Sequence, residues 1–163
     1  MNKLEKLDVV KFLMAHHKMK YKRDISPIKL QKGLYFLYAF YIKYRNAVET
    51  ECDDSVINSA PNTLFDANFE AWSYGPVDPE IYVQFKTNKI NIEGFNSVQY
   101  LSSLSKKNSF MSEFLEGLTQ QIFNSGDFGL VELSHRDACW KEHSADRSSI
   151  TEAEIIDEYS NKT

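Results

Sequence analysis

His135, Cys139 and His143 recur every four residues and carry the donor types that bind zinc, with Asp137 or Glu142 at hand as a fourth ligand. On one continuous helix the three would share a face. Positions i, i+4 and i+8 nevertheless extend over about two helical turns, a poor match to a ~2 Å coordination sphere. No metal or other cofactor is therefore assigned. A Cys139–His143 nucleophile is opposed by neighbouring acidic residues, which raise a thiol pKa rather than lower it. No serine lies in a G-x-S-x-G elbow, and no G-x-x-x-x-G-K-[ST] or G-x-G-x-x-G loop is present to cradle phosphate. Asp66 and Glu70 form a carboxylate pair that the wet face of a hairpin explains. Catalysis is not expected.

Binding chemistry is the stronger signal. Trp72 and Tyr74 are residue types that anchor interfaces and equally types that fill cores. Lys29 and Gln31, about 200° apart on a helix, cannot share a face. One reading makes Lys29 solvated and gives Gln31 a hydrogen bond to the loop after Tyr74. The other puts both on a partner surface with Trp72 and Tyr74. Both stay open at this point.

The segment that must position these residues is Leu64 to Tyr82, LFDANFEAWSYGPVDPEIY. Leu64-Phe65 and Phe69 to Trp72 read as two short strands around the turn-rich Asp66-Ala67-Asn68. Tyr74-Gly75-Pro76 ends the second strand, since Pro76 lacks an N–H. Asp78 and Pro79 then supply the N-cap and first position of a helix, with Val77 and Tyr82 at staple spacing.

Upstream, apolar spacing predicts a helix over Leu4 to Met19 with Leu7, Val10, Leu13 or Met14, and His17 on the buried stripe. A second helix starts with Ser26 as cap, Pro27 at the first position, and Ile25 and Leu30 at staple spacing. Leu30, Leu34, Leu37, Tyr38, Tyr41 and Tyr44 form its apolar face, and Gly33 suggests close approach of another element. Arg45 to Thr63 reads as an extended acidic loop. Downstream helices are expected near Val98 to Leu104, over Phe110 to Asn124 with Gly126 ending it, and near Phe128 to His135. A last helix starts at Thr151, where Thr151 and Glu154 match a capping box. Ser160 to Thr163 should fray. The sum is a mainly α, compact multi-helix domain with one short β-hairpin, spanning 1–163 as a single unit.

Composition agrees. The chain is 163 residues and 42% hydrophobic, enough for one core, and no stretch has the length of a membrane span. No signal-peptide core opens it, and Cys52 and Cys139 make no disulfide framework, so a cytoplasmic protein is expected. The net charge of −4 conceals an asymmetry: residues 1–45 hold eleven Lys/Arg against three Asp/Glu. Such a basic face suits an acidic protein or phosphate, or is simply the wet side of two helices. Tyr21 is the only aromatic in the dense basic stretch Lys18 to Arg23, which argues against nucleic acid. No spare heptad seam demands a dimer, so oligomeric state is left unassigned.

The run FEAWSYGPVDPEIY resembles the signature of the Panacea domain, found in SocA-like antitoxins and phage-associated GepA-like proteins. SPIKLQKGLYFLYAFY (Ser26 to Tyr41) and LVELSHRDACW (Leu130 to Trp140) fit the same family in the expected order. The resemblance implies an antitoxin that neutralises a cognate toxin, often encoded by an adjacent gene, by direct binding without a cofactor. It also marks Lys29, Gln31, Tyr35, Trp72, Tyr74, Gly75, Pro76, His135 and Trp140 as motif or partner-binding positions. His135 is expected to organise the loop before Trp140. Trp72 and Tyr74 are expected to lie against Leu30, Leu34 and Leu37, with Trp140 anchoring the His135 loop to the same core. The alternatives are a nucleic-acid-binding regulator using the basic N-terminal helices, and an adaptor presenting a partner to a protease.

Overall fold

A computed structural model describes residues 1–51 and 55–162. In chain order the elements are α1 (Lys6–Tyr21), α2 (Pro27–Glu51), α3 (Ser55–Asn58), β1 (Phe69–Trp72), β2 (Gly75–Val77) and α4 (Pro79–Lys86). They continue with α5 (Ser97–Lys107), α6 (Ser109–Asn124), α7 (Asp127–Ser134), α8 (Ala138–His143), β3 (Ser149–Ile150) and α9 (Glu152–Ser160). The protein is mainly α, with a small antiparallel sheet of order β2-β1-β3.

α2 is the central element. Ser26 caps it, its Oγ accepting from the Lys29 N–H at 3.0 Å, and Leu30 to Ala39 are all buried. A helix buried on every side must be covered on every side, and α1, α6, α7, α9 and β2 do so. One continuous apolar cluster joins Leu13 of α1, Leu34 and Tyr38 of α2, Phe69 of β1, Leu115 of α6 and Ile155 of α9. At Gly33 an added Cβ would meet Ile122 at 3.4 Å and Leu13 at 3.6 Å, ordinary contact. α1 and α6 do lie beside it, but not so close that only glycine fits.

Several expectations need correction. Val10, Leu13 and His17 are buried on α1 as expected, but Leu7 is 41% exposed, and Val9, Phe12 and His16 complete the buried face. Among the described residues of 45–63 much of the expected loop is helix: α2 continues to Glu51, and α3 covers Ser55–Asn58. No glycine or proline occurs between Arg45 and Ala60 to stop a helix. Arg45 is buried, donating from Nε and Nη2 to the Ala60 carbonyl. Cys52 lies outside the described residues. Gly126 does not end α6, which is closed by Ser125, but is the N-cap of α7. The tail is tied rather than frayed: Ser160 closes α9 and Lys162 pairs with Asp137 at 2.9 Å, while Thr163 is outside the described residues. The capping box at Thr151 and Glu154 is present.

The hairpin is also displaced. β1 pairs with β2, not with Leu64-Phe65, and the turn is Ser73-Tyr74, not Asp66-Ala67-Asn68. Leu64 and Phe65 are fully buried, and the Leu64 carbonyl accepts from the Leu4 N–H. Tyr74-Gly75-Pro76 therefore does not stop a strand; Gly75 and Pro76 are in one. Proline is tolerated there because β2 is an edge strand. β3 joins from the far side, Phe69 opposite Ile150.

Candidate functional site

The β1–β2 hairpin is clamped from three directions by polar side chains. From α2, Gln31 accepts from the Asp78 N–H at 2.8 Å and donates to the Asp78 carbonyl at 3.1 Å. One turn position on, the Lys32 ammonium donates to the Pro76 carbonyl. These two side chains thus satisfy the outer rim of β2 as a fourth strand would. Lys32 is 1% exposed, and burial lowers its pKa to about 7. Asp78 also caps α4 through the Ile81 N–H and pairs with Lys6 at 2.7 Å.

From α7 and α8 the clamp is closer still. Gly75 has φ +102°, and an added Cβ would lie 2.3 Å from Ser134 Oγ and 3.0 Å from Lys32 Cε. His135 Nε2 lies 2.9 Å from the Ser73 carbonyl, and its ring stacks on Trp140 with centroids 4.0 Å apart. Trp140 donates from Nε1 to the Trp72 carbonyl at 2.8 Å. Beneath them Asp137, buried, accepts from Tyr35 and Tyr159 hydroxyls at 2.5 and 2.6 Å and from Lys162. Burial holds the Tyr35 hydroxyl pKa well above its usual value.

His135, Cys139 and His143 do not share a helix face, because His135 closes α7 while the other two lie on α8. His143 is engaged at both ring nitrogens, by Ser148 and Glu154. Cys139 is buried against Tyr35, and burial, more than its acidic neighbours, pushes its thiol up to about 12. Asp137, Cys139 and Glu158 bring ligand atoms within 4.8 Å of one another, as do Glu142, His143 and Glu154. In the first set both carboxylates are taken, Glu158 by the Ala138 and Cys139 N–H groups. The geometry favours structural roles for both clusters.

Above the clamp is an outward face. Trp72 is half-buried, bonded to Glu70 through Nε1, met edge-on by Tyr82 at 5.0 Å and covered by the Arg147 guanidinium at 4.7 Å. Tyr74 is 59% exposed and meets Phe128, 65% exposed, at 6.3 Å. The expected seat of both residues against Leu30, Leu34 and Leu37 is therefore wrong: strand alternation turns Trp72 outward while Phe69 and Ala71 fill the core. Trp72, Tyr74, Tyr82, Ile28 and Arg147 border a depression of about 290 Å³ with Lys32 in its lining. Lys29 is elsewhere and not solvated, reaching Asp127 at 3.6 Å and the Phe123 carbonyl. Tyr35 is in the core, not on this face. Sequence reasoning missed Lys32, Ser134 and Arg147, and weighed Asp137 only as a possible metal ligand, not as the acceptor of the Tyr35 and Tyr159 hydroxyls. Lys32 follows Gln31 directly, so the K-L-Q-K run held a signal; Arg147 had none.

No helix among the described residues is long and apolar enough to cross a membrane. Neither a curated protein nor a solved structure matches the chain. A sequence model of one family does match, over residues 52–141, which contain the hairpin, Ser134, His135, Asp137 and Trp140. The Ser26 to Tyr41 stretch lies before the matched residues yet supplies Gln31 and Lys32 to the same clamp. On this match over more than half its length, the chain belongs to the family described as antitoxin SocA-like, Panacea domain.

Proposed function

We propose that this protein is an antitoxin that neutralises a cognate toxin, encoded by an adjacent gene, through direct stoichiometric binding, without catalysis or a cofactor. The observation that carries this reading is the exposed pair formed by Tyr74 of the hairpin turn and Phe128 of α7, on a hairpin that side chains of α2, α7 and α8 hold in place. Large aromatics left in water on a rigid support are the usual anchors of an interface. A clamped backbone also loses little entropy on binding. The nucleic-acid alternative is weakened by pairing within the basic region: Lys18 with Asp24, Lys29 with Asp127, Lys6 with Asp78. Fewer of those charges are free to displace counterions from phosphate.

The test is a titration of the purified protein against the product of the neighbouring open reading frame, reading toxin activity and complex mass. Inhibition should saturate near equimolar protein. Full rescue at strongly substoichiometric levels, or no complex at all, would overturn sequestration.

A further inference from the structure

The depression beside Trp72 continues into a second one of about 420 Å³, since both are bordered by Pro27, Gln31 and Tyr82. Together they make a trough with apolar side chains in both parts, Ile28 and Val77 in the first and Leu30 and Phe85 in the second, around the shared Pro27, Gln31 and Tyr82. A cation stands on each part. Arg147 lies over Trp72, and the Lys86 ammonium lies 5.6 Å from the Tyr82 ring centroid. Among the described residues neither cation has a carboxylate within ion-pair distance, and no Asp or Glu borders the trough. Other depressions on the same surface are different: one includes Glu5 and Asp8, another Asp24. The cations here are held by ring faces, which orient them without neutralising them. In the floor, Lys32 offers three ammonium protons to one protein acceptor, the Pro76 carbonyl.

We infer, building on the antitoxin reading, that this trough seats a short segment of the partner protein with an apolar centre and an acidic residue toward each end. Apolar side chains fill the middle, and carboxylates meet Arg147 and Lys86. Complementary charge at the ends fixes the register of the segment and excludes basic ones. A single-stranded nucleic acid fits less well. The Trp72 ring carries Arg147 and meets Tyr82, and Tyr82 carries Lys86, so stacking platforms for bases are already occupied.

A displayed library of random nonapeptides, selected on the immobilised full-length protein, tests this. Enrichment of Asp and Glu flanking Leu or aromatic centres is expected. Selected peptides should lose about tenfold or more in affinity against Arg147→Glu/Lys86→Glu, whose own selection should enrich basic flanks. Both positions are exposed, and an unchanged melting temperature confirms that the variant is folded. Enrichment without charge preference, the same preference in the double variant, or failure to enrich would overturn the inference. So would oligothymidylate binding that depends on the same two residues where peptides do not bind. Toxin neutralisation separates the two readings. If wild type and the double variant neutralise equally, the trough assignment falls and the antitoxin reading stands. If wild type never binds the neighbouring gene's product yet enriches acidic peptides, the antitoxin reading falls and the trough stands.

Discussion

The two flanks of α2 are built on different principles. Toward α1, α5 and α6 the contacts are mainly apolar, with Leu13, Leu115, Leu118 and Ile122 buried among a few polar groups such as His16, bonded to Ser97, and Ser112, bonded to the Leu101 carbonyl. Toward the hairpin and α7 to α9 the buried contacts are polar and directional: Gln31 on Asp78, Lys32 on Pro76, Tyr35 and Tyr159 on Asp137. The first flank tolerates any apolar set of the right volume. On the second, removing Gln31 or Asp137 strands a buried partner, and Lys32 is the exception because burial of its charge opposes its bond.

The sharpest way to break this contrast is Asp137→Ala. It strands two buried hydroxyls and frees Lys162, and should cost about 3–5 kcal/mol in chemical denaturation. A loss below about 1 kcal/mol would mean the polar flank is no more demanding than the apolar one. Next are the two glycines of the flanks. Gly75→Ala forces a Cβ onto Ser134 at positive φ and should destabilise by about 2–4 kcal/mol. Gly33→Ala fits its contacts and removes a mid-helix glycine, so it should stabilise by about 0.5–1 kcal/mol. Melting curves showing the same sign for both would erase the distinction.

Lys32 gives the contrast a pH signature. Its folded pKa, about 7, lies below the ordinary 10.5, so between these values the unfolded chain holds the extra proton. Stability contributed by this site should rise as pH climbs from 7 toward 10.5, with the full penalty standing below 7. Lys32→Met should raise stability below pH 7 by about 1–3 kcal/mol and flatten that rise. An unchanged slope would show that the ammonium is relieved by solvent. The smallest stability effect belongs to Tyr74→Ala, within about 0.5 kcal/mol because the ring is exposed. The same variant should lose toxin binding by tenfold or more, measured by calorimetry. Intact affinity would move the interface off the hairpin.

What could be read beforehand follows the same division. The helix starts at Ser26, Asp78 and Thr151 were legible because a cap is a local arrangement of two to four residues. The Gln31 bond to the segment after Tyr74 was one of two open readings, and burial of α2 decides for it, since a polar side chain on a buried helix has to find a partner. The strand partner of Phe69 to Trp72 was misplaced because Asp66-Ala67-Asn68 has turn chemistry, whereas the real turn holds Ser73 and an exposed Tyr74. Pairing of Phe69 with Ile150 joins residues far apart in the chain, and periodicity has no access to it. The outward turn of Trp72 was missed because size alone suggests burial, while strand parity decides which face a ring takes. Arg147 reaches the site through that same distant strand.

The Gln31 and Lys32 bonds to the rim of β2 carry a consequence for the life of the chain before it is folded. An unpaired strand rim recruits other strands, and a nascent hairpin released ahead of α2 would be adhesive. Here α2 precedes the hairpin in the chain, so the guard is synthesised before the strand it covers. Its side chains take the acceptors that a neighbouring molecule would otherwise use, and a prolyl ring removes one donor from the same rim. The protein thereby folds a small sheet in a crowded cell with one rim closed against its own copies.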